Sequence, residues 1–343
     1  MPNYRAVLQP LVRLWSRVSL SSAGSILCFH GISSVPGVPD SPHVSGATLR
    51  MALAAAAGAG RIITLRELVA RHRSGRNTRG LVALTFDDAY VSLLSADAEF
   101  LRTDGTPFTI FVTTQASRTG DSFWWDRLDE LYQQASAERW RAFEVECGLP
   151  DAFRHGQPIE YGPLRPIRQW ILHEYKGRSP AHVDDALAAL ERELGVSTAL
   201  RAMTFDELAQ ISKTSTVELG VHTTTHPVLP LLPDDEMRTE IVSCFDTLRD
   251  RFDNVVPVLA APFGLFDRRS ARIAREGGML TTLTLGSRTL HSSRGDDWLP
   301  RFCLCAGESG WKLQLRIVGA AERWQRLRYG PAALFPELPS PTT

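Results

Sequence analysis

Cysteine is scarce in this sequence, and what there is does not pair. Its 343 residues include five cysteines, at 28, 147, 244, 303 and 305. The number is odd and no two stand in C-x-x-C spacing, which excludes the common structural zinc modules. A disulfide framework is not expected at this size and density, so a reducing compartment is the expectation. Net charge is also lacking: 38 Lys plus Arg balance 38 Asp plus Glu. No nucleic-acid partner is expected from such a balance. One stretch is locally basic, with Arg61, Arg66, Arg71, Arg73, Arg76 and Arg79. It reads either as a solvated helix face and loop or as a contact for an anionic glycan or membrane. Long apolar runs are missing too. Residues 51–59 are far too few to span a bilayer. Residues 8–20 are interrupted by Pro10, Arg13 and Arg17 and do not read as a signal peptide. Leu8, Leu11, Val12, Trp15 and Val18 would share one side of an amphipathic helix, packed on the domain or lying on a membrane surface. The expected location is the cytoplasm, with peripheral contact at the inner membrane as its extension. Repeats and low-complexity tracts are absent.

What is present is ordinary globular composition, 43% hydrophobic and 22% charged, which excludes wholesale disorder. Short apolar segments alternate with helical patterns. Strands are expected at 25–29, 81–86, 108–112, 217–221, 256–260, 279–285 and 300–305. Helices are expected at 49–57, 65–71, 91–101, 234–251 and 268–276. Strand–helix alternation with near-continuous apolar strands predicts an α/β fold whose largely parallel sheet is covered on both faces. The rhythm breaks at 114–202, which shows no convincing strand. Helices are expected there from Trp124 through Leu131, at 166–175 and at 182–194. An insertion of this length suits a lid, a binding wall or a partner surface. The organisation expected is therefore an N-terminal amphipathic extension at 1–24, a main domain at 25–330 with 114–202 inserted into it, and a loose tail at 331–343.

The polar residues that stand out all follow strand ends, where α/β folds keep their chemistry. Asp87 and Asp88 follow the strand 81–86. One carboxylate can hold a metal while the other reaches a water, or the pair can simply cap a helix. His222 and His226 follow the strand 217–221. Histidines four apart can share one face and ligate a borderline ion such as zinc, or they can be two surface histidines near a cap. Two histidines and one aspartate would leave coordination positions open, as catalytic sites do. His30, at the end of the first strand, reads alone as a core histidine. Pro262, Phe263 and Gly264 read alone as a turn with a rigid start and a flexible finish. Trp124 and Trp125 can stack on a sugar ring or fill the core of the insertion. Phe29, Phe86 and Phe263 support the motifs or are plain core.

Taken jointly, these segments resemble the polysaccharide deacetylase family, the NodB-homology carbohydrate esterases. Thr85-Phe86-Asp87-Asp88 is similar to the family's T-F-D-D, and His222-Thr223-Thr224-Thr225-His226 to its H-[ST]-x-x-H. The strand 108–112 resembles A-T-F-F-V, and Pro262-Phe263-Gly264 resembles P-[YF]-G. Phe29-His30-Gly31-Ile32 resembles the F-H-x-[IV] opening of a bacterial exopolysaccharide-biosynthesis branch, and Leu299-Pro300-Arg301 the end of that branch. The resemblance implies a distorted (β/α) barrel with fewer than eight regular strands and a helical insertion. It implies a divalent metal on Asp88, His222 and His226, zinc first, with cobalt, manganese or nickel as other candidates. Asp87 would be the general base. The family's usual late L-x-H acid has no good counterpart, since His291 is the only late histidine. The branch resemblance moves that role to His30. Pro262, Phe263, Gly264, Trp124 and Trp125 are the expected substrate-binding residues.

Two departures from the family pattern stand out: Ala89 where a glycine is usual, and Ala260 where an arginine usually steadies the base. The implied activity is metal-dependent hydrolysis of an N-acetyl amide on an amino sugar of a polysaccharide or lipid-linked saccharide. The alternatives are a sugar deformylase or other non-peptide C–N hydrolase, a glycan binder that has lost catalysis, and an assembly partner working through the insertion.

Overall fold

The computed structural model describes residues 24–33, 42–151, 165–286, 289–290, 298–304 and 309–320. Residues 1–23 of the expected amphipathic extension, the loose tail, His291 and Cys305 lie outside the described residues.

Among the described residues eight strands run β1 Ser25–Phe29, β2 Arg61–Ile62, β3 Leu81–Phe86, β4 Phe108–Val112, β5 Val217–Val221, β6 Val255–Ala260, β7 Thr281–Leu285 and β8 Trp298–Cys303. Every pairing among them is parallel. The order is β1-β8-β7-β6-β5-β4-β3-β2, and a further β1–β3 pairing closes the ring. Seven strands thus form a barrel, and the two-residue β2 pairs only with the start of β3. The fold is the expected distorted barrel with fewer than eight regular strands.

Why the strands read as continuous apolar runs follows from the two-residue side-chain period. Along β1, Leu27 and Phe29 belong to the outer core with Leu84 and Phe86 of β3, under the helix α1 Gly46–Ala59. Ile26 belongs instead to a second cluster with Ala83, Phe111, Val258, Ala260, Leu283 and Leu299, the filling of the barrel itself. Both faces are therefore buried, as parallel sheets require. The interior is tight: a Cβ on Gly220 would lie 2.4 Å from the Phe111 ring. Above this apolar plug the same inward positions turn polar. Cys28 pairs in register with Thr85 and with Cys303, so these three side chains share the inner face.

The outer helices are α1, α2 Leu65–Arg73, α3 Glu99–Thr103, α9 Phe205–Ile211, α10 Asp234–Arg249, α11 Arg268–Glu276 and α12 Gly310–Ile317. Several begin where a side chain answers an orphan backbone N–H: Ser45 caps α1, Thr64 caps α2, and Thr204 with Glu207 forms a capping box on α9. The continuous helix expected at 91–101 is instead a 3-10 turn at Val91–Leu94 followed by α3. The serines explain the break. Ser95 Oγ donates to Ser92 O at 2.6 Å, and Ser92 Oγ accepts from Ile32 N at 2.8 Å, so local side-chain bonds displace the helical ladder.

Between β4 and α9 the described residues form helices α4 Thr114–Thr119, α5 Trp124–Gln134, α6 Ala137–Glu146, α7 Arg165–Glu174 and α8 Ala181–Leu194. They enclose a core of their own, built on Trp124, Trp125, Trp140, Phe143, Trp170, Leu128 and Leu187. Tyr90, just past β3, belongs to this second core, and its backbone bridges to Ala202.

Candidate active site

The inward alternation of the strands carries on past their ends. Asp87 stands two residues after Thr85, His222 two after Gly220, and His30 two after Cys28. Each continues the inner face of its strand onto the barrel mouth, where parallel strands bring their carboxyl ends together. Residues far apart in the chain meet there because the ring is closed.

Asp88, His222 and His226 converge. Asp88 Oδ1 lies 3.4 Å from His222 Nε2 and 3.3 Å from His226 Nε2, and the two Nε2 atoms are 3.2 Å apart. All three side chains are buried. His222 Nδ1 donates to Ala260 O at 2.8 Å, which leaves Nε2 with its lone pair facing the other two donors. Asp88 Oδ1 has no hydrogen-bond partner of its own. Three electron-rich atoms held this closely repel one another unless something positive lies between them. A tetrahedral zinc with ligands at about 2.0–2.2 Å has ligand-to-ligand edges of about 3.3–3.6 Å, so these residues fit a divalent cation. Burial is the largest effect on the His226 imidazole and brings it down to about 3, a neutral, ligating form.

Asp87 is held differently. Arg301, fully buried on β8, grips it with two bonds: Nη1 to Oδ1 at 2.6 Å and Nη2 to Oδ2 at 2.7 Å. Nη1 also donates to Thr85 Oγ1 at 3.2 Å, and that hydroxyl donates to Leu27 O at 2.9 Å. Burial alone would raise the Asp87 carboxyl, but the charges of Arg301 and His222 outweigh it and hold the group well below the usual carboxylate range. A two-pronged guanidinium fixes the plane of the carboxylate as well as its charge. The arginine that Ala260 does not provide therefore arrives from another strand. Leu299-Pro300-Arg301 was visible in the sequence, but only ring closure shows that its guanidinium reaches Asp87.

Backbone strain marks the same place. Among the described residues, six non-glycine residues have positive φ, and five of them are Asp88, Ala89, Thr223, His226 and Phe263. Ala89, where a glycine is usual in the family, adopts a left-handed backbone that costs a residue with a Cβ: its φ is 52°, its side chain is fully buried, and its carbonyl accepts from Met203 N at 2.8 Å. Strain of this kind persists only where surrounding contacts over-determine it, and it clusters at functional sites.

The histidine loop has a support that the motifs did not reveal. Glu240 of α10 is buried and accepts from Thr224 N and Thr225 N, both at 2.9 Å, and from Thr225 Oγ1 at 2.7 Å. Arg178 balances its charge at 2.9 Å. A glutamate every few residues on an exposed helix is unremarkable in sequence, so no local signal could have singled it out.

The insertion closes the other side. Ring centroids of Phe263 and Trp125 lie 4.5 and 4.8 Å from that of His226. Trp125 Nε1 donates to Tyr90 Oη at 3.0 Å, Tyr90 Oη donates to Asp126 at 2.6 Å, and His43 Nε2 lies 2.6 Å from the same carboxylate. Gly31 makes room for this ring, since a Cβ there would fall 2.5 Å from His43 Nδ1. Trp124 and Trp125 are only 7% and 9% exposed, and Trp124 Nε1 donates to Gly177 O at 3.0 Å. Of the two readings offered by the sequence, this burial fits insertion core, so neither indole offers the open face that sugar stacking needs. Pro262 is buried, Phe263 and Gly264 half-buried; the three form a 3-10 turn beside His226. His30 faces the same pocket: burial lowers its imidazole, while the charges of Asp87 and Asp88 pull the other way.

Residues 183–281 match the polysaccharide deacetylase family model. Over that segment the chain is similar to the polysaccharide deacetylases. Solved structures agree on the fold. The Streptococcus pyogenes deacetylase PplD, in complex with acetate, is 14% identical over 86% of this chain and 98% of its own, with a TM-score of 0.55. IcaB from Ammonifex degensii is 15% identical over 86% and 96%, with a TM-score of 0.53. The Bacillus cereus polysaccharide deacetylase BC0361 is 11% identical over 85% and 68%, with a TM-score of 0.53. No curated protein matches the sequence.

Proposed function

We propose that this protein removes the N-acetyl group from an amino sugar within a polysaccharide or lipid-linked saccharide, in a reaction that depends on a divalent cation. The observation that carries this reading is the juxtaposition of Asp88, His222 and His226, three atoms within 3.4 Å of one another, with a second carboxylate, Asp87, locked beside them by Arg301. A cation held by the first three residues, with zinc the best fit to their nitrogen and oxygen donors, would supply Lewis acidity and a more acidic water. The rest of the chemistry belongs to the side chains. Asp87 accepts the proton of the attacking water. Arg301 keeps Asp87 ionised and aimed. His30 gives a proton to the departing sugar nitrogen, because an amine leaves poorly without one. One amide and one water become one acetate and one free amine.

A glycan binder without turnover rested on Ala260 and Ala89. Arg301 removes the first of these motives. Sugar deformylase activity, or hydrolysis of another small amide, shares all of the groups named and differs only in the acyl pocket.

The deciding experiment is mass spectrometry of products from N-acetylated oligosaccharides and lipid-linked sugars, with zinc, cobalt, manganese, nickel or chelator present. Loss of one acetyl unit with acetate released, abolished by chelator, is the expected result. Formate release from N-formyl sugars alone would replace the reading with the deformylase, and tight binding without turnover under any metal would refute hydrolysis. For His30, replacement by alanine should spare metal content and slow amide hydrolysis far more than hydrolysis of activated aryl acetates. Equal losses on both would remove the acid role. The location we propose is the cytoplasm, at or near the inner membrane. Among the described residues no helix is long and apolar enough to cross a membrane. Recovery of the intact protein outside the inner membrane would refute that location.

A further inference from the structure

A second cluster of metal-ligating atoms stands at the same mouth. The sulfurs of Cys28 and Cys303 and a ring nitrogen of His30 all lie within 4.8 Å of one another. Their meeting follows from the strands: Cys28 and His30 are two apart at the end of β1, and Cys303 is the register partner of Cys28 on β8. His30 Nδ1 is buried with no hydrogen-bond partner, an arrangement that costs free energy unless a ligand or ion completes it. Cys28 is fully buried beside Asp87, with its sulfur 3.4 Å from Oδ2. Cys303 is half-buried, which gives an ion a way in. Its sulfur lies 4.0 Å from Leu304 O. A tetrahedral site of sulfur and nitrogen has edges of about 3.5–3.8 Å, so an ion would draw the three ligand atoms together from their present spacing. The Arg301 guanidinium lies close enough to interact with both sulfurs.

We propose that Cys28, His30 and Cys303 form a second metal site, for a thiophilic divalent cation, and that filling it silences the enzyme by withdrawing His30 from proton donation. The second half of the statement rests on the function proposed above; the first does not. Two thiolates and an imidazole select zinc and softer ions, whereas Asp88, His222 and His226 offer only nitrogen and oxygen. Binding releases the two thiol protons to solvent and places no further bond on the protein. Three protein ligands leave a fourth position for water. The remaining described cysteines do not compete: burial pushes the thiols of Cys147 and Cys244 up to about 12.

Cobalt titration of the full chain tests the site directly. The first equivalent should give visible d–d absorption, and a second should add the near-ultraviolet sulfur-to-cobalt charge-transfer band that nitrogen and oxygen ligands cannot produce. Cys303→Ser, checked for folding by circular dichroism, should lose the charge-transfer band and keep the first equivalent. His222→Ala should do the reverse. Should Cys303→Ser fail to fold, wild-type protein answers instead: cadmium should slow iodoacetamide labelling of Cys303, read on its own peptide, by about 10-fold or more. No charge-transfer band at several equivalents, an undiminished band in Cys303→Ser, or labelling indifferent to cadmium overturns the site. Where turnover is measurable, cadmium added to the zinc-loaded enzyme should inhibit, and Cys303→Ser should need about 10–100-fold more of it. Absence of deacetylation in every condition would refute the function and leave the site standing. Absence of the sulfur band would do the opposite.

Discussion

The barrel and its helical insertion solve burial in different ways. The barrel's outer core is aliphatic, with Leu, Ile and Val packed between strands and helices and a few phenylalanines among them. The insertion's core turns on tryptophans, Trp124, Trp125, Trp140 and Trp170, with Phe143 and Tyr90. Aliphatic side chains of branched shape fill a pleated surface and leave strand ends free to carry polar groups. Large flat rings suit a smaller cluster of short helices, because each buries much area and carries a polar handle. The two cores touch where it matters: the barrel supplies the convergent atoms, and the insertion supplies the wall behind His226 and the Asp126 that holds His43 and Tyr90. The insertion is therefore a wall of the site rather than an appendage. Barrel substitutions should abolish chemistry, while insertion substitutions should tune it.

The sharpest test of the barrel side is Asp87→Asn. It should retain the metal and lose about 10²–10⁴-fold in turnover, measured on metal-replete enzyme; near-normal rates would show that another group takes the proton. Next is Arg301→Ala, which leaves the Asp87 charge buried and unpaired. Breaking such a pair costs about 3–5 kcal/mol, to be read as a lower denaturant midpoint, whereas Arg301→Lys should recover charge but not the two-pronged grip. On the insertion side, Asp126→Asn should cost about 1–3 kcal/mol of stability and leave the metal count unchanged.

The same variant tests a pH effect. Burial lowers the His43 imidazole, but the Asp126 bond and the charges of Asp126, Asp129 and Asp88 outweigh it and raise the group above its ordinary value. A raised folded-state value means stability fully present below the unfolded value of about 6.5 and lost as pH rises through the folded one. Wild-type stability should therefore decline above neutrality with a component that Asp126→Asn abolishes; parallel pH curves for the two proteins would refute the pairing. The smallest effect expected is for Ala89→Gly. Relief of left-handed strain, about 1–2 kcal/mol, is offset by the lost buried methyl and the freer unfolded chain, so stability should shift by no more than about 1 kcal/mol.

Most of the barrel was legible along the chain because its signals are local. Apolar runs bounded by polar residues placed β1, β3, β4 and β5, and the periodicity of 268–276 placed α11. Missed features had no local signature. β2 is two residues long, too short for any pattern, and α12 lies where no periodicity was read. The helix expected at 91–101 broke because serine side chains, not the apolar pattern, chose the backbone's partners.

The candidate site divides along the same line. Sequence alone determined which residue types stand at strand ends, and hence Asp87, Asp88, His222, His226 and His30 as the polar positions to watch. Only the closed ring decided that Arg301 replaces the arginine absent at 260, that Glu240 props the histidine loop, and that Cys28 and Cys303 lie side by side with His30. The reason is geometric. Chemistry at a barrel mouth depends on which strands are neighbours and which face each residue takes. Register across the gap between β8 and β1 is a property of the ring, and it is written in no single segment of the chain.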